Sequence, residues 1–201
     1  MEKKEGKVKD LVEELKKGEI TSKEALKELQ KRGLVEHERW EIIPWVIYFI
    51  LWLPLNFMFS DQLPAIRFPL VVICILLVLV VLGIFLAVWA TYMHYKRGGL
   101  NHDETVILFK EGPYQVMRHP AAVGFMMLPI LLPIILSVYV PFTVLSIAAI
   151  IIMIVYIYYG CYLEEKLSIR KWGDEYQQYM KEVPRFNFIL GLWRLRKRRY
   201  L

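Results

Sequence analysis

Apolar and polar positions fall in long blocks along this chain. The first block, residues 1–41, mixes dense charge with a sparse apolar stripe. Val8, Leu11, Val12 and Leu15 recur at helical spacing, and Gly18 is a natural stop. Thr21 to Glu24 has the capping-box pattern, and Ala25, Leu26 and Leu29 follow before Gly33. The pattern predicts two short amphipathic helices, a hairpin appendage to whatever follows. Its 11 basic and 11 acidic residues balance, so it is no polybasic anchor. Two uses stay open for it: a tether to another subunit or partner, and a solubilising cap.

From Ile42 the apolar blocks become long enough for a bilayer. Val71 to Val81 is nearly unbroken, and Ala121 to Cys161 contains no Asp, Glu, Lys, Arg or His. A hydrocarbon core takes about 20 apolar residues per spanning helix. Only helices or closed barrels satisfy their backbone there, and these runs are too continuous for barrel strands. The fold class expected is all-α and polytopic, with about four transmembrane helices. The first runs from Ile42 to Phe59, with Pro44 in its first turn and a kink at Pro54. The second runs from Ala65 or Pro69 to Met93, ending in the interfacial aromatics Trp89, Tyr92 and Tyr95. The third starts near Ala121 and is short or broken, because Pro129 and Pro133 interrupt it; about 16 residues make roughly 24 Å of helix. After a tight turn at Ser137 to Pro141, the fourth reaches Cys161 and emerges as far as Trp172, where Gly173 ends it.

Polar segments divide these blocks. Residues 42–93 form the first two crossings, 94–120 a connecting loop, 121–161 a helical hairpin and 162–201 a C-terminal region. Within the loop, Gly98–Gly99 permits a bend, Asn101 to Glu104 follows, and Val106 to Phe109 is a short apolar patch. Beyond Gly173, Asp174 to Met180 can continue as helix with Tyr176 and Tyr179 one turn apart. Pro184–Arg185 then turns the chain, and Phe186 to Trp193 is apolar and aromatic enough to rest on a membrane interface. Four crossings put the N-terminus, the loop and the C-terminal region on one side.

Charge and composition sharpen the assignment. The net charge is +6, with Arg194, Arg196, Lys197, Arg198 and Arg199 close to the end. Beside membrane helices, such a tail meets anionic headgroups and not nucleic acid, and it makes the shared side cytosolic. The charged first forty residues are unlike a cleavable signal peptide, so the first spanning helix is expected to direct insertion. Cys74 and Cys161 stand alone in apolar surroundings and form no disulfide framework. His94 and His102, eight positions apart in a loop interrupted by two glycines, are a weak metal pattern, and no metal site is assigned.

The chemistry concentrates in two places. GPYQVMRHP, Gly112 to Pro120, places Arg118 and His119 where the third crossing begins, and Glu164–Glu165 stand where the fourth ends. A helical hairpin brings those two ends to the same side. Adjacent glutamates on a helix point about 100 degrees apart, so one can face inward while the other meets solvent or Arg170. An arginine or histidine near the inward one would compensate its buried charge. Two readings follow: a reaction site, or interfacial ion pairs that set helix depth.

GPYQVMRHP together with EEKLSIRKWGDEYQQYMKEVPR resembles the C-terminal core of the isoprenylcysteine carboxyl methyltransferase family and its phospholipid N-methyltransferase relatives. The resemblance covers roughly residues 93–190. It implies a membrane-embedded enzyme that transfers the methyl group of S-adenosylmethionine, with a cytosolic C-terminal cofactor-binding region. Carried over by position, Gly112, Tyr114, His119, Glu164, Glu165, Tyr176 and Tyr179 would form the cofactor pocket. Arg118, Glu165 and Arg185 would act on the reacting groups. The acceptor implied is a membrane lipid or, first, the α-carboxylate of a prenylated cysteine. An aromatic two residues beyond the RHP proline is common in the family, and Ala122 stands there instead. Sterol reductases share a similar RHP-containing terminal region but use a nicotinamide cofactor; this chain lacks the extra helices to enclose a sterol. A non-catalytic membrane scaffold is the remaining alternative.

Overall fold

The computed structural model describes residues 11, 14, 17, 19–32, 42–96 and 108–199. The predicted breaks at Gly18, Gly33 and Gly98–Gly99, the segment Asn101 to Glu104 with His102, Val8, Val12, Leu15 and the start of the Val106 patch lie outside the described residues. So do the side chains of His94 and Tyr95.

The described elements are all helical. They are α1 (Ser22–Lys31), α2 (Ile42–Trp52), α3 (Pro54–Met58), α4 (Leu70–Lys96), α5 (Pro120–Ile135), α6 (Val144–Glu182) and α7 (Phe188–Arg199), with 3-10 turns at Gly112–Gln115 and Leu136–Val138. Among the described residues, three helices are long and apolar enough to cross a membrane, namely Leu70–Met93, Pro120–Val138 and Val144–Glu182. The protein is a polytopic, all-α membrane protein. The stretch Ile42–Met58 is apolar but shorter. Pro54 supplies no amide to continue α2, and Leu53 leaves helical geometry at φ −99, ψ −82.

The chain forms two compact units, each assembled from separated stretches. One comprises Glu38–Ala87 and Ala122–Cys161. Its core gathers Tyr48, Trp52, Val140, Ala149 and Met153. Helices α4 and α5 approach closely where side chains are absent: a Cβ on Gly124 would lie 2.4 Å from the carbonyl oxygen of Gly83. Without a hydrophobic driving force in lipid, such close backbone approach supplies dispersion that bulkier residues would prevent. Large side chains along α4, among them Leu70, Val78, Leu82 and Phe85, are exposed, as a surface meeting lipid tails requires.

Contrary to the expected interruption, α5 runs unbroken through Pro129 and Pro133. At Pro133 a distant side chain compensates. Pro133 has no N–H for the carbonyl of Pro129, one turn earlier, and the buried Tyr48 hydroxyl donates to that carbonyl at 3.0 Å. Near the break at Pro54 a buried side chain also serves helix-ending carbonyls. The Asn56 amide, fully buried, donates to the carbonyls of Leu51 and Trp52 at 3.1 and 2.8 Å and to Ser146 Oγ at 3.0 Å. Thr143 donates its hydroxyl to the side-chain oxygen Oδ1 of Asn56, closing the network.

The second unit comprises Met1–His37, Val88–Ala121 and Tyr162–Leu201. Thr21 caps α1 with the predicted reciprocal box to Glu24, and Ala25, Leu29 and Leu11 are buried. The polar continuation of α6 belongs here. Val144 to Leu163 supplies about the 20 apolar residues a bilayer needs, and everything from Glu164 on lies beyond that run. As expected, Gly173 ends the regular helix: it takes the non-helical φ 51, ψ −127, and a second helical stretch runs on from Asp174 to Glu182.

Candidate functional site

Within this second unit one carboxylate is the meeting point of three functional side chains. Glu165 is 2% exposed. Its Oε1 accepts from Arg118 Nε at 2.9 Å, from Arg185 Nε at 2.9 Å and lies 3.1 Å from His119 Nε2. Arg118 Nη2 is 2.8 Å from the same oxygen, and Arg185 Nη2 donates to Oε2. Of the glutamate pair, Glu165 is thus the inward member. Glu164 is 46% exposed in its side chain and places Oε2 3.2 Å from His119 Nδ1. The imidazole therefore bridges the two carboxylates, one on each ring nitrogen.

Backbone geometry delivers these groups. The amide of Arg118 donates to the Pro184 carbonyl at 3.0 Å, and that of His119 to the Arg185 carbonyl at 3.3 Å. RHP and VPR are thereby stitched together before their side chains reach Glu165. Arg118 also donates through Nη1 to the carbonyl of Met180 at 3.0 Å and to that of Val183. Those carbonyls end a helix, where partial negative charge accumulates and a cation is favoured.

Burial by itself would raise the Glu165 pKa. Hydrogen bonds from His119, Arg185 and Arg118, with the charge of Arg118, outweigh burial and bring it down to about 2. The carboxylate is therefore ionised at neutral pH. It anchors two guanidiniums and an imidazole.

The remaining residues expected in the pocket fall into a packing layer around the cluster. Gly112 sits at φ 58, a backbone conformation that favours glycine, and a Cβ there would lie 2.6 Å from the flexible Met93 Sδ. Tyr114 is buried edge-on against Phe109, with ring centroids 5.2 Å apart. The Tyr179 hydroxyl donates to the Tyr114 carbonyl at 2.7 Å, and burial pushes its pKa up. Tyr176 is buried between Trp172, stacked at 6.0 Å, and Tyr179 at 5.8 Å, and burial raises its pKa as well. These tyrosines tie the polar extension of α6 to the GPYQ turn.

Two features of the cluster escaped the sequence reading. The helix-ending carbonyls of Met180 and Val183 receive Arg118, and the signal was Pro184, which supplies no N–H to the carbonyl of Met180 four residues back. The second is the seating of α7. A Cβ on Gly191 would lie 1.8 Å from the Val116 carbonyl oxygen, so only glycine permits this approach. Arg198 extends the contact, donating to the Gln115 carbonyl at 3.0 Å and pairing with Glu182 at 3.1 Å.

No family model, curated protein or solved structure matches the chain.

Proposed function

We propose that the protein is an integral membrane methyltransferase that passes the methyl group of S-adenosylmethionine to a lipidated acceptor. The acceptor this reading favours is the α-carboxylate of a prenylated cysteine. One observation carries it: Arg118 and His119, 47 and 46 residues before Glu165, converge with Arg185 on that single buried carboxylate. A set of ion pairs that only fixed helix depth would have no need of a dry carboxylate serving three donors.

The donor set suits the amino acid part of S-adenosylmethionine. Glu165 is engaged on both oxygens and Arg118 on all three nitrogens, so these two act as positioning residues. Glu164, 46% exposed, and Arg185, 20% exposed, keep accessible surface. A carboxylate suits an ammonium, and a guanidinium suits a carboxylate, with bidentate geometry available to the latter. When bound, S-adenosylmethionine supplies a methyl group activated by its sulfonium. A carboxylate acceptor is already ionised and needs no base. What remains for the chain is alignment: Arg185 orients a carboxylate, His119 fixes Glu164, and the tyrosine layer keeps the walls in place. Four crossings, with Ile42–Met58 as a short first one, would put this unit on the cytosolic side beside the basic tail.

Purified protein in detergent should bind S-adenosylhomocysteine and not NADPH by calorimetry; the reverse would favour a lipid reductase. With labelled S-adenosylmethionine and membrane-lipid extracts, methyl transfer is expected from wild type and from protein lacking residues 1–34. It is expected to be lost in His119→Ala and Glu165→Ala proteins that still fold. Intact transfer in both would sink the site assignment, and the mass of the product separates O- from N-methylation.

A further inference from the structure

Helix α7 has two faces with different business. Gly191 is buried against Val116, and Arg194 and Arg198 turn to the same side. Arg194 donates to the Lys181 carbonyl at 3.0 Å, and Arg198 reaches Gln115 and Glu182. Asn187 Oδ1 accepts from the Leu190 amide at 2.9 Å and caps the helix start. This face locks the helix to its own unit.

The opposite face is apolar and exposed. Phe188, Ile189, Leu192 and Trp193 recur at i, i+1, i+4 and i+5, with Ile189 80% and Trp193 60% exposed. Arg196 and Lys197, both exposed, continue that face at its C-terminal end, and Lys197 lies 5.8 Å from the Trp193 ring centroid. Four large apolar side chains followed by two cations, one of them over an indole, match what an interfacial helix presents. The chain also brings this unit within reach of a bilayer. Tyr162, its first residue in α6, directly follows the apolar run that reaches Cys161.

We propose that the outward face of α7 is a bilayer-docking surface that prefers anionic phospholipid. Phe188, Ile189, Leu192 and Trp193 enter the headgroup–acyl boundary, and Arg196 and Lys197 meet lipid phosphates. Charge complementarity decides the occupant. A second copy would set these cations against their own counterparts, whereas an anionic leaflet attracts each of them. The inward face of the same helix holds Val116 and Gln115, so lipid contact and the RHP-bearing segment share one rigid element. This inference stands independently of methyl transfer.

The test uses full-length protein in nanodiscs of phosphatidylcholine, alone or with 30% phosphatidylglycerol, doped with brominated lipid. The Trp193 signal is the difference between wild type and Trp193→Phe. Quenching of that signal by shallow brominated lipid is expected, at least twofold stronger in anionic discs. Arg196→Glu/Lys197→Glu should remove the anionic preference without moving the thermal midpoint in detergent, since neither residue lies on the locking face. Equal quenching by aqueous iodide in both discs, with none from brominated lipid, overturns the proposal. Shielding of Trp193 that appears only in discs carrying two copies also overturns it and assigns the face to self-association.

Discussion

Arg118 donates to the carbonyl of Met180, the helical carbonyl that Pro184 leaves without its amide partner. The same guanidinium reaches Glu165 through Nε and Nη2, so one side chain joins a helix end to the buried carboxylate. Lysine cannot copy this. Its ammonium is a point donor, without the planar fork that serves two directions at once. Arg118→Lys is expected to destabilise the protein by about 3 kcal/mol, the scale for breaking a buried ion pair. On the proposed function, Arg118→Lys should also lower methyl transfer by at least a hundredfold. Denaturant unfolding in neutral detergent checks the first, and labelled transfer the second. A stability within error of wild type would mean that Arg118 does not organise the cluster.

The Glu165 carboxyl yields a pH dependence with a definite sign. Its pKa falls from 4.5 to about 2 on folding, because hydrogen bonds from His119, Arg185 and Arg118 outweigh burial. The folded protein therefore binds this proton more weakly than the unfolded chain. The stabilisation is fully present above pH 4.5, declines as pH drops from there, and is gone below about 2. Thermal midpoints measured by intrinsic fluorescence should fall across this window in wild type. Glu165→Gln should start lower and change less, and it is the difference between the two curves that reports this group. Parallel curves would contradict the assignment.

The membrane class, the positions of the long helices and the Thr21 cap were legible because hydropathy and capping are local signals. Two pairs of the cluster, Arg118–His119 and Glu164–Glu165, were legible as residues, since a charged pair at each end of an apolar hairpin is conspicuous. Which glutamate turns inward was not, because adjacent helical positions differ only by rotation, and packing chooses between them. The continuity of α5 was misread for a related reason. Proline's cost depends on whether a distant donor covers the freed carbonyl, and Tyr48 precedes Pro129 by 81 residues. The partner of Tyr179 was not legible either, since its hydroxyl holds the Tyr114 carbonyl, 65 residues earlier in the chain.

Gly191 is expected to be the glycine least able to accept a methyl group. Its added Cβ would meet the Val116 carbonyl oxygen at 1.8 Å, and backbone on both sides cannot simply rotate away. Gly191→Ala should cost about 2 kcal/mol, in the range for overpacking a tight contact. It should also loosen the segment that carries Arg118 and His119, so methyl transfer falls with stability. Gly160→Ala is the control: nothing lies within 4 Å of its Cβ position, and stability should hold or rise. Unfolding midpoints of the two variants, measured side by side, decide the matter. An undisturbed Gly191→Ala would show that α7 is not seated against Val116.

Tyr48 and Pro133 should behave as a coupled pair although they touch only through a carbonyl. The Tyr48 hydroxyl supplies the Pro129 carbonyl with the hydrogen bond that Pro133 cannot. Tyr48→Phe alone leaves that carbonyl unpaired among apolar side chains, at a cost of about 1–2 kcal/mol. Pro133→Ala restores an amide one turn below the carbonyl, so Tyr48→Phe should be nearly harmless in that background. The expected coupling is about 1 kcal/mol, read from a double-mutant cycle on unfolding in detergent micelles. Equal costs of Tyr48→Phe in both backgrounds would mean that the hydroxyl does not compensate the proline, and that α5 tolerates Pro133 by other means.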